Sequence, residues 1–234
     1  MPLEYAKLPS SLISRIALEE GVVAVVPLGS LEQHCEGPLG LDSMIAERLA
    51  FEACELLERR SAARCVILPT LYYGFSPEWS RVKGTISVPL DVYVNLLKAI
   101  VRGLVKAGFK RIAFINAHGG NAGIAEAYIR EAASEVGGVV LALINYWELL
   151  NIKLDHAGPV EESIAKALGV AESVGECSRI GYRSRPRITA TPPEEPSTIA
   201  FENQPPNVDV GELIEALARA LETVAKTPMS EKLI

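Results

Sequence analysis

The chain has 234 residues, a net charge of −6 and a hydrophobic content of 49%, enough for one large α/β domain with a substantial core. No run of Lys or Arg is long enough for a nucleic-acid surface, and no apolar stretch approaches the ~20 residues that span a bilayer. Cys35, Cys54, Cys65 and Cys177 form no Cys-x-x-Cys pair and suggest no disulfide framework.

Residues Met1 to Ser10 hold no apolar core with a small-residue cleavage site, so no leader is expected and a reducing cytoplasm is the simplest compartment. Two glutamines in the whole chain, with more Arg than Lys, point weakly to a thermophile. Gly21 to Pro27 is a short, β-branched apolar run that predicts a strand covered on both faces. Apolar residues then recur at helical spacing from Ser43 to Arg60, with Asp42 or Ser43 as N-cap. Arg64 to Pro69 reads as the second strand. A long loop rich in Gly, Pro, Ser and aromatics follows from Thr70 to Thr85. Asp91 to Ala107 is helical and closed by Gly108. Arg111 to Ile115, Asn121 to Val136 and Gly138 to Asn145 give strand, helix and strand again. A short helix is expected over Pro159 to Leu168. Residues 185–234 read as an extended arm ending in an amphipathic helix over Val210 to Lys226, within a single domain spanning 1–234.

Strands alternating with helices of this length predict an α/β fold with a parallel sheet covered on both faces. Ligands bind such sheets beyond the carboxyl ends of the strands. The three histidines of the chain all fall there: His34 after the first strand, His118 after the third and His156 after the fourth. Glu32 and His34 are two apart, so an extended segment turns both side chains to one face. Asp42 opens the next helix, and His118 arrives from another strand end. Two carboxylates and two imidazoles suit Zn²⁺, Mn²⁺ or Fe²⁺ better than Mg²⁺. A carboxylate shared between two ions would make the site binuclear, and Asp42 is the candidate bridge. A metal-dependent hydrolase follows.

Other groups at this rim stay open between two readings. Gly119, Gly120 and Asn121 read as an anion or oxyanion cradle at a helix start, or as a tight turn needing positive φ. His156 is assigned to donate a proton to a leaving amine; the alternatives are a further metal ligand or a helix cap. Glu161 is a ligand, an orienter for His156 or an exposed helix carboxylate, and Glu162 beside it must point elsewhere. Cys35 is a buried filler or a thiolate ligand.

The ordered set Gly-Ser-x-Glu-Gln-His…Asp, Asn-x-His-Gly-Gly-Asn and His-Ala-Gly-x-x-Glu-x-Ser, between about Val25 and Leu168, resembles the creatininase family of metal-dependent amidohydrolases. The resemblance implies a three-layer α/β/α sandwich, assembly as a homo-oligomer (often a hexamer), and a two-metal site whose activated water attacks an amide or cyclic amide carbonyl. It places Glu32 and His118 on one ion and His34 on the other, with Asp42 bridging, and makes His156 the catalytic histidine with Glu161 as its nearby acid. Trp79 stands where members commonly have His, and Gly120 where true creatininases carry a glutamate ligand. The incomplete shell of the second ion would need Glu161, Glu36 or Cys35. Creatinine itself is therefore disfavoured as substrate. A small formamide or cyclic amide is expected, with Arg183, Arg185 or Arg187 on the phosphate if the substrate carries one. Creatinine amidohydrolase proper and an inactive metal-binding assembly subunit are the alternatives.

Overall fold

Seven successive residues without a charge, Val22–Leu28, form the central strand β2, buried along its whole length. The computed structural model describes residues 1–179, 193–199 and 207–229. On either side of β2 lie β3 (Arg64–Ile67) and β4 (Arg111–Asn116), with β5 (Val140–Asn145) beyond β4 and a two-residue β1 (Leu3–Glu4) beyond β3. The order is β1-β3-β2-β4-β5, and every pairing is parallel.

Because strand side chains alternate, β2 feeds two cores. Val23 and Val25 face one layer with Cys65, Ala113 and Ile115, covered by α2 (Leu41–Arg59), α5 (Pro159–Ala167) and α6 (Val210–Lys226). Val22, Ala24, Val26 and Leu28 face the other, covered by α1 (Ser10–Ile16), α3 (Leu90–Ala107) and α4 (Gly119–Glu135). This is the expected three-layer α/β/α sandwich with a parallel sheet. No helix among the described residues is long and apolar enough to cross a membrane.

The chain leaves β2 for β3 on one side and later returns to β4 on the other. The segments that follow the carboxyl ends of β2 and β4 therefore leave toward opposite faces, to α2 and α4, and the switch in strand order falls between them. All three histidines lie on loops at this rim.

Some boundaries differ from the sequence reading for identifiable reasons. Helix α2 starts at Leu41 with Gly40 at its cap, so Asp42 sits inside the first turn rather than capping it. Its carboxylate is turned into the site instead. Helix α4 starts at Gly119, two residues earlier than expected, directly against His118. Two short strands, β6 (Ser178–Arg179) and β7 (Ser197–Thr198), pair in parallel, and Ile199 bridges antiparallel to His156. Residues 197–199 of the arm thus lie against the His156 loop, while α6 packs beside α2.

The expectation of no disulfide is corrected: Cys35 and Cys177 are bonded, with Cα atoms 5.7 Å apart across 142 residues of sequence. Cys35 is neither a thiolate ligand nor a plain filler. The bond ties the His34 loop to the segment after α5.

Candidate metal centre

Local structure aims each group. After β2, the turn holding Glu32 and His34 is closed by Glu32 N–H donating to Leu39 O (2.9 Å) and Gly37 N–H to His34 O (2.7 Å). After β4, Asn116 fixes the next turn: its side chain accepts from His118 N–H (3.1 Å) and donates to His118 O (2.9 Å) and to Asn145 Oδ1 at the end of β5 (2.9 Å). After β5, Asp155 accepts from Val160 N–H (2.9 Å) and Glu161 N–H (3.0 Å), capping α5 and presenting His156 beside it. A side chain at Gly158 would begin 2.2 Å from the Asp155 carboxylate, so this cap requires glycine.

Asp42 lies at the centre of the cluster. Its Oδ1 is 3.1 Å from His34 Nε2, and its Oδ2 is 2.9 Å from His118 Nδ1. Ser30 donates to Oδ2 from its hydroxyl (2.8 Å). Glu32 Oε1 reaches both His118 Nδ1 (3.3 Å) and His156 Nδ1 (3.4 Å), while Glu161 Oε2 is 3.6 Å from His34 Nε2. Glu32, His34, Asp42, His118 and Glu161 are all buried.

The distal ring nitrogens separate the histidines. His34 donates from Nδ1 to the Glu32 carbonyl (3.0 Å), and His118 donates from Nε2 to the Phe75 carbonyl (2.9 Å). Each ring therefore turns its other nitrogen toward Asp42 and a second carboxylate. This is how metal-binding imidazoles are oriented. His156 differs, because a side-chain amide nitrogen, Gln33 Nε2, faces its Nε2 at 2.7 Å.

A cation belongs between these acceptors, either a proton on each ring or a metal ion. Burial opposes charge on His34, but Asp42 and Glu161 outweigh it and push its pKa up to about 10. Burial likewise opposes charge on His118, and Glu32 and Asp42 overcome it in the same direction. Burial works against the ionised carboxyl of Asp42, yet the two imidazoles hold it well below the usual range. Protons alone leave one atom unserved: Glu32 Oε2 is buried with no hydrogen-bond partner. The donor set fits a divalent ion. Three groups have ligand atoms within 4.8 Å of one another: His34, Asp42 and Glu161; Glu32, Glu78 and His118; and Glu32, His34 and His156.

Glu161, the candidate partner of His156, stands against His34 instead, also accepting from Ala157 N–H (2.7 Å). Burial raises its pKa to about 8. Glu162 points away to Lys166, Ser173 and the Val174 N–H, as the spacing required. Glu36 is exposed and takes no part in these ligand groups. Asn121 takes a structural role with its side chain, and the cradle expected of the helix start rests on backbone N–H groups. The Asn121 amide is committed to the backbone, donating to Gly29 O (3.0 Å) and accepting from Phe75 N–H (3.0 Å). Gly119 and Gly120 form the first turn of α4 with negative φ; their requirement is space, since a Cβ at Gly120 would sit 2.1 Å from Phe75 O and 2.5 Å from His118 Nε2. Trp79 is buried and stacks on His156, with centroids 4.4 Å apart at 20°. Arg183, Arg185 and Arg187 lie outside the described residues.

Glu78, Ser30, Ser76 and Gln33 received no task from the sequence. Glu78 sits on a 3₁₀ turn beside Trp79 with its carboxylate 3.2 Å from where a side chain at Gly120 would begin. The missing acid at position 120 is the signal that could have pointed to it.

A family model for creatinine amidohydrolase matches residues 10–174, well over half of the chain. The chain belongs to the creatininase family. Among relatives of this creatininase-family chain, the mycofactocin precursor peptide peptidase of Mycobacterium tuberculosis (strain CDC 1551 / Oshkosh) is 35% identical over 104 residues, 42% of this chain and 41% of the relative. The chain thus matches less than half the length of that relative. The 2-amino-5-formylamino-6-ribosylaminopyrimidin-4(3H)-one 5'-monophosphate deformylase of Methanocaldococcus infernus is 28% identical over 174 residues, covering 69% of this chain and 71% of the relative. A solved structure from Bacteroides fragilis NCTC 9343, described as a creatinine amidohydrolase, superposes with a TM-score of 0.78 at 20% identity, over 98% of each chain. A creatininase variant in a zinc–zinc form gives 0.74 at 16% identity, over 97% of this chain and 100% of the other. These likenesses establish the sandwich as the family fold.

Proposed function

We propose that this creatininase-family chain is a metal-dependent amidohydrolase that cleaves a C–N bond in a small formamide or cyclic amide. The observation that carries the reading is the shared orientation of His34 and His118. Each ring spends one N–H on a backbone carbonyl and turns its other nitrogen toward Asp42. Glu32, Asp42 and His118 would hold one ion, with Glu78 at its rim; His34, Asp42 and Glu161 would hold the other. A divalent Zn, Mn or Fe ion there supplies Lewis acidity, polarising the carbonyl and making water acidic enough to attack near neutral pH.

The remaining residues bind and orient. His156 offers its Nδ1 on the carboxylate side and serves the leaving nitrogen as a hydrogen-bond donor. Burial, then the neighbouring charge of His34, lower its pKa to about 4, so it is neutral at pH 7. Trp79 covers the ring and keeps water from its face. Gly119 and Gly120 leave the start of α4 bare, so its N–H groups can receive the oxygen of the attacked carbonyl.

The formamide reading draws on the relative whose match spans most of both chains, the deformylase. Gly120, with no room for a side chain, weighs against creatinine. If the substrate carries a phosphate, Arg183, Arg185 and Arg187 remain its candidate partners. We also propose a homo-oligomer, in a single domain spanning 1–234, and a cytoplasmic location in a thermophile. Thermophile cytoplasm is a setting where an intracellular disulfide such as Cys35–Cys177 persists.

The test is turnover of formamides and cyclic amides with Mn²⁺, Zn²⁺ and Fe²⁺ supplied separately. Hydrolysis with at least one ion, abolished in a folded His118→Ala variant, supports the proposal. Metal-loaded protein that hydrolyses none of them would instead favour a binding or assembly subunit.

A further inference from the structure

Gln33 is buried between Glu32 and His34, and the chemistry above gives it no part. Its amide nevertheless makes three hydrogen bonds to the backbone that agree on which end is nitrogen. Oε1 accepts from the backbone N–H groups of Cys35 and Ser197, each at 3.2 Å. Nε2 donates to the Ser197 carbonyl at 2.6 Å. Flipping the amide would set oxygen against that carbonyl and –NH₂ against two N–H donors, so the orientation is fixed.

The second N–H of the amide then points at His156 Nε2, 2.7 Å away. A donor there requires a bare nitrogen. The neutral ring must carry its single proton on Nδ1, which lies 3.4 Å from Glu32 Oε1. We propose that Gln33 is a positioning residue that locks His156 in the Nδ1–H tautomer and aims that proton at the carboxylate side of the site. The lock deepens the proposed role of His156 as a donor and rests on that reading for its catalytic consequence.

The arm holds both members of the lock. Ser197 offers Gln33 its N–H and its carbonyl, while Ile199 exchanges two backbone hydrogen bonds with His156 (2.8 and 2.9 Å). Thr198 Oγ1 donates to His156 O at 2.7 Å, and Trp79 closes one face of the ring. One short strand thus sets the distance between amide and imidazole.

Three histidines in the chain make the tautomer directly observable. Long-range ¹H–¹⁵N correlation spectra of ¹⁵N-histidine-labelled protein, metal-free and zinc-loaded, report which nitrogen of each ring is protonated. The His156 signals are those lost in His156→Asn. The expected wild-type result is Nδ1 protonated and Nε2 bare. Gln33→Glu places an acceptor opposite Nε2 and draws a proton there; Gln33→Met removes the donor and releases the ring to the Nε2–H form. In the amide assay both variants lose on the order of 10²-fold in kcat with KM little changed, as expected when the hydrogen-bond donor to the leaving nitrogen presents the wrong tautomer. A wild-type His156 protonated on Nε2 overturns the lock, whatever the variants do. So does retention of the Nδ1–H form in either folded variant. A wild-type Nδ1–H ring in a protein that hydrolyses no amide leaves the lock standing and refutes the catalytic reading alone.

Discussion

Adding one methyl group at Gly120 tests whether the start of α4 is packed around His118 as described. The Cβ of Gly120→Ala would lie 2.1 Å from Phe75 O and 2.5 Å from His118 Nε2, where ordinary contact begins near 3.4 Å. Both neighbours are held: Phe75 O accepts from His118 Nε2, and Phe75 N–H donates to Asn121 on α4. Relief therefore moves the Phe75 loop or the helix start. Overpacking of this kind costs about 1–3 kcal/mol. A loosened hydrogen bond adds about 1 kcal/mol, and the helix propensity of Ala returns at most about 1 kcal/mol. The net loss is roughly 1–4 kcal/mol, a fall of about 2–15 °C in Tm for a chain of this size. Because His118 loses the carbonyl that orients it, metal affinity should fall about 10–100-fold. Gly123→Ala is the internal control. It lies three residues further along α4, no heavy atom is within 4 Å of where its Cβ would be, and the residue is exposed. That variant should gain about 0.5–1 kcal/mol. Thermal unfolding by circular dichroism and competition with a fluorescent chelator read both effects. Equal behaviour of the two variants would refute the packing described for Gly120 and His118.

Two further outcomes follow from the cross-link and from the buried charges. The Cys35–Cys177 bond closes a loop of 142 residues, for which chain entropy gives a ceiling of about 4–5 kcal/mol. Denatured, unreduced protein should show two titratable thiols, those of Cys54 and Cys65. Replacing Cys35 and Cys177 by Ser should cost about 2–5 kcal/mol in denaturant unfolding; four free thiols, or no loss, would contradict the bond. In chelator-stripped protein His34 keeps its proton to about pH 10, against 6.5 for an ordinary histidine. Its stabilising contribution is complete below pH 6.5 and is lost as pH climbs toward 10. Glu161, raised to about 8, acts in the same direction between 4.5 and 8, because the unfolded carboxyl ionises first. From pH 6.5 upward metal-free stability should therefore fall while metal affinity rises, since the ion displaces protons. A metal-free protein that gains stability from pH 6.5 upward would contradict this.

What the sequence made legible was whatever repeats locally. Val22–Leu28 is a continuous apolar run, and α6 is an amphipathic stretch whose observed bounds, Val210–Lys226, coincide with the expected ones. The strand Leu3–Glu4 is too short to show a period, and it pairs only because Val66 and Ile67 present an open sheet edge. At the site, Glu32, His34, Asp42 and His118 could be placed together because each follows or opens an element at the same end of the sheet. Glu78 reaches the cluster from a long loop whose path no periodicity fixes. The bond between Cys35 and Cys177 depends on how the chain after α5 returns across 142 residues of sequence. Gln33 was visible inside its motif. Its work depends on Ser197, which only the folded arm brings within hydrogen-bonding distance.

In the proposed site His34 and His118 each present one nitrogen to an ion, with Asp42 between them, and His156 acts as a donor although its ring also lies within ligand range of Glu32 and His34. Elemental analysis of the purified protein and of His34→Ala, His118→Ala and His156→Ala, each checked for fold, tests this most directly. Two divalent ions per chain are expected in the wild type, fewer in His34→Ala and in His118→Ala, and two in His156→Ala. Metal lost from His156→Ala but kept in His118→Ala would contradict it.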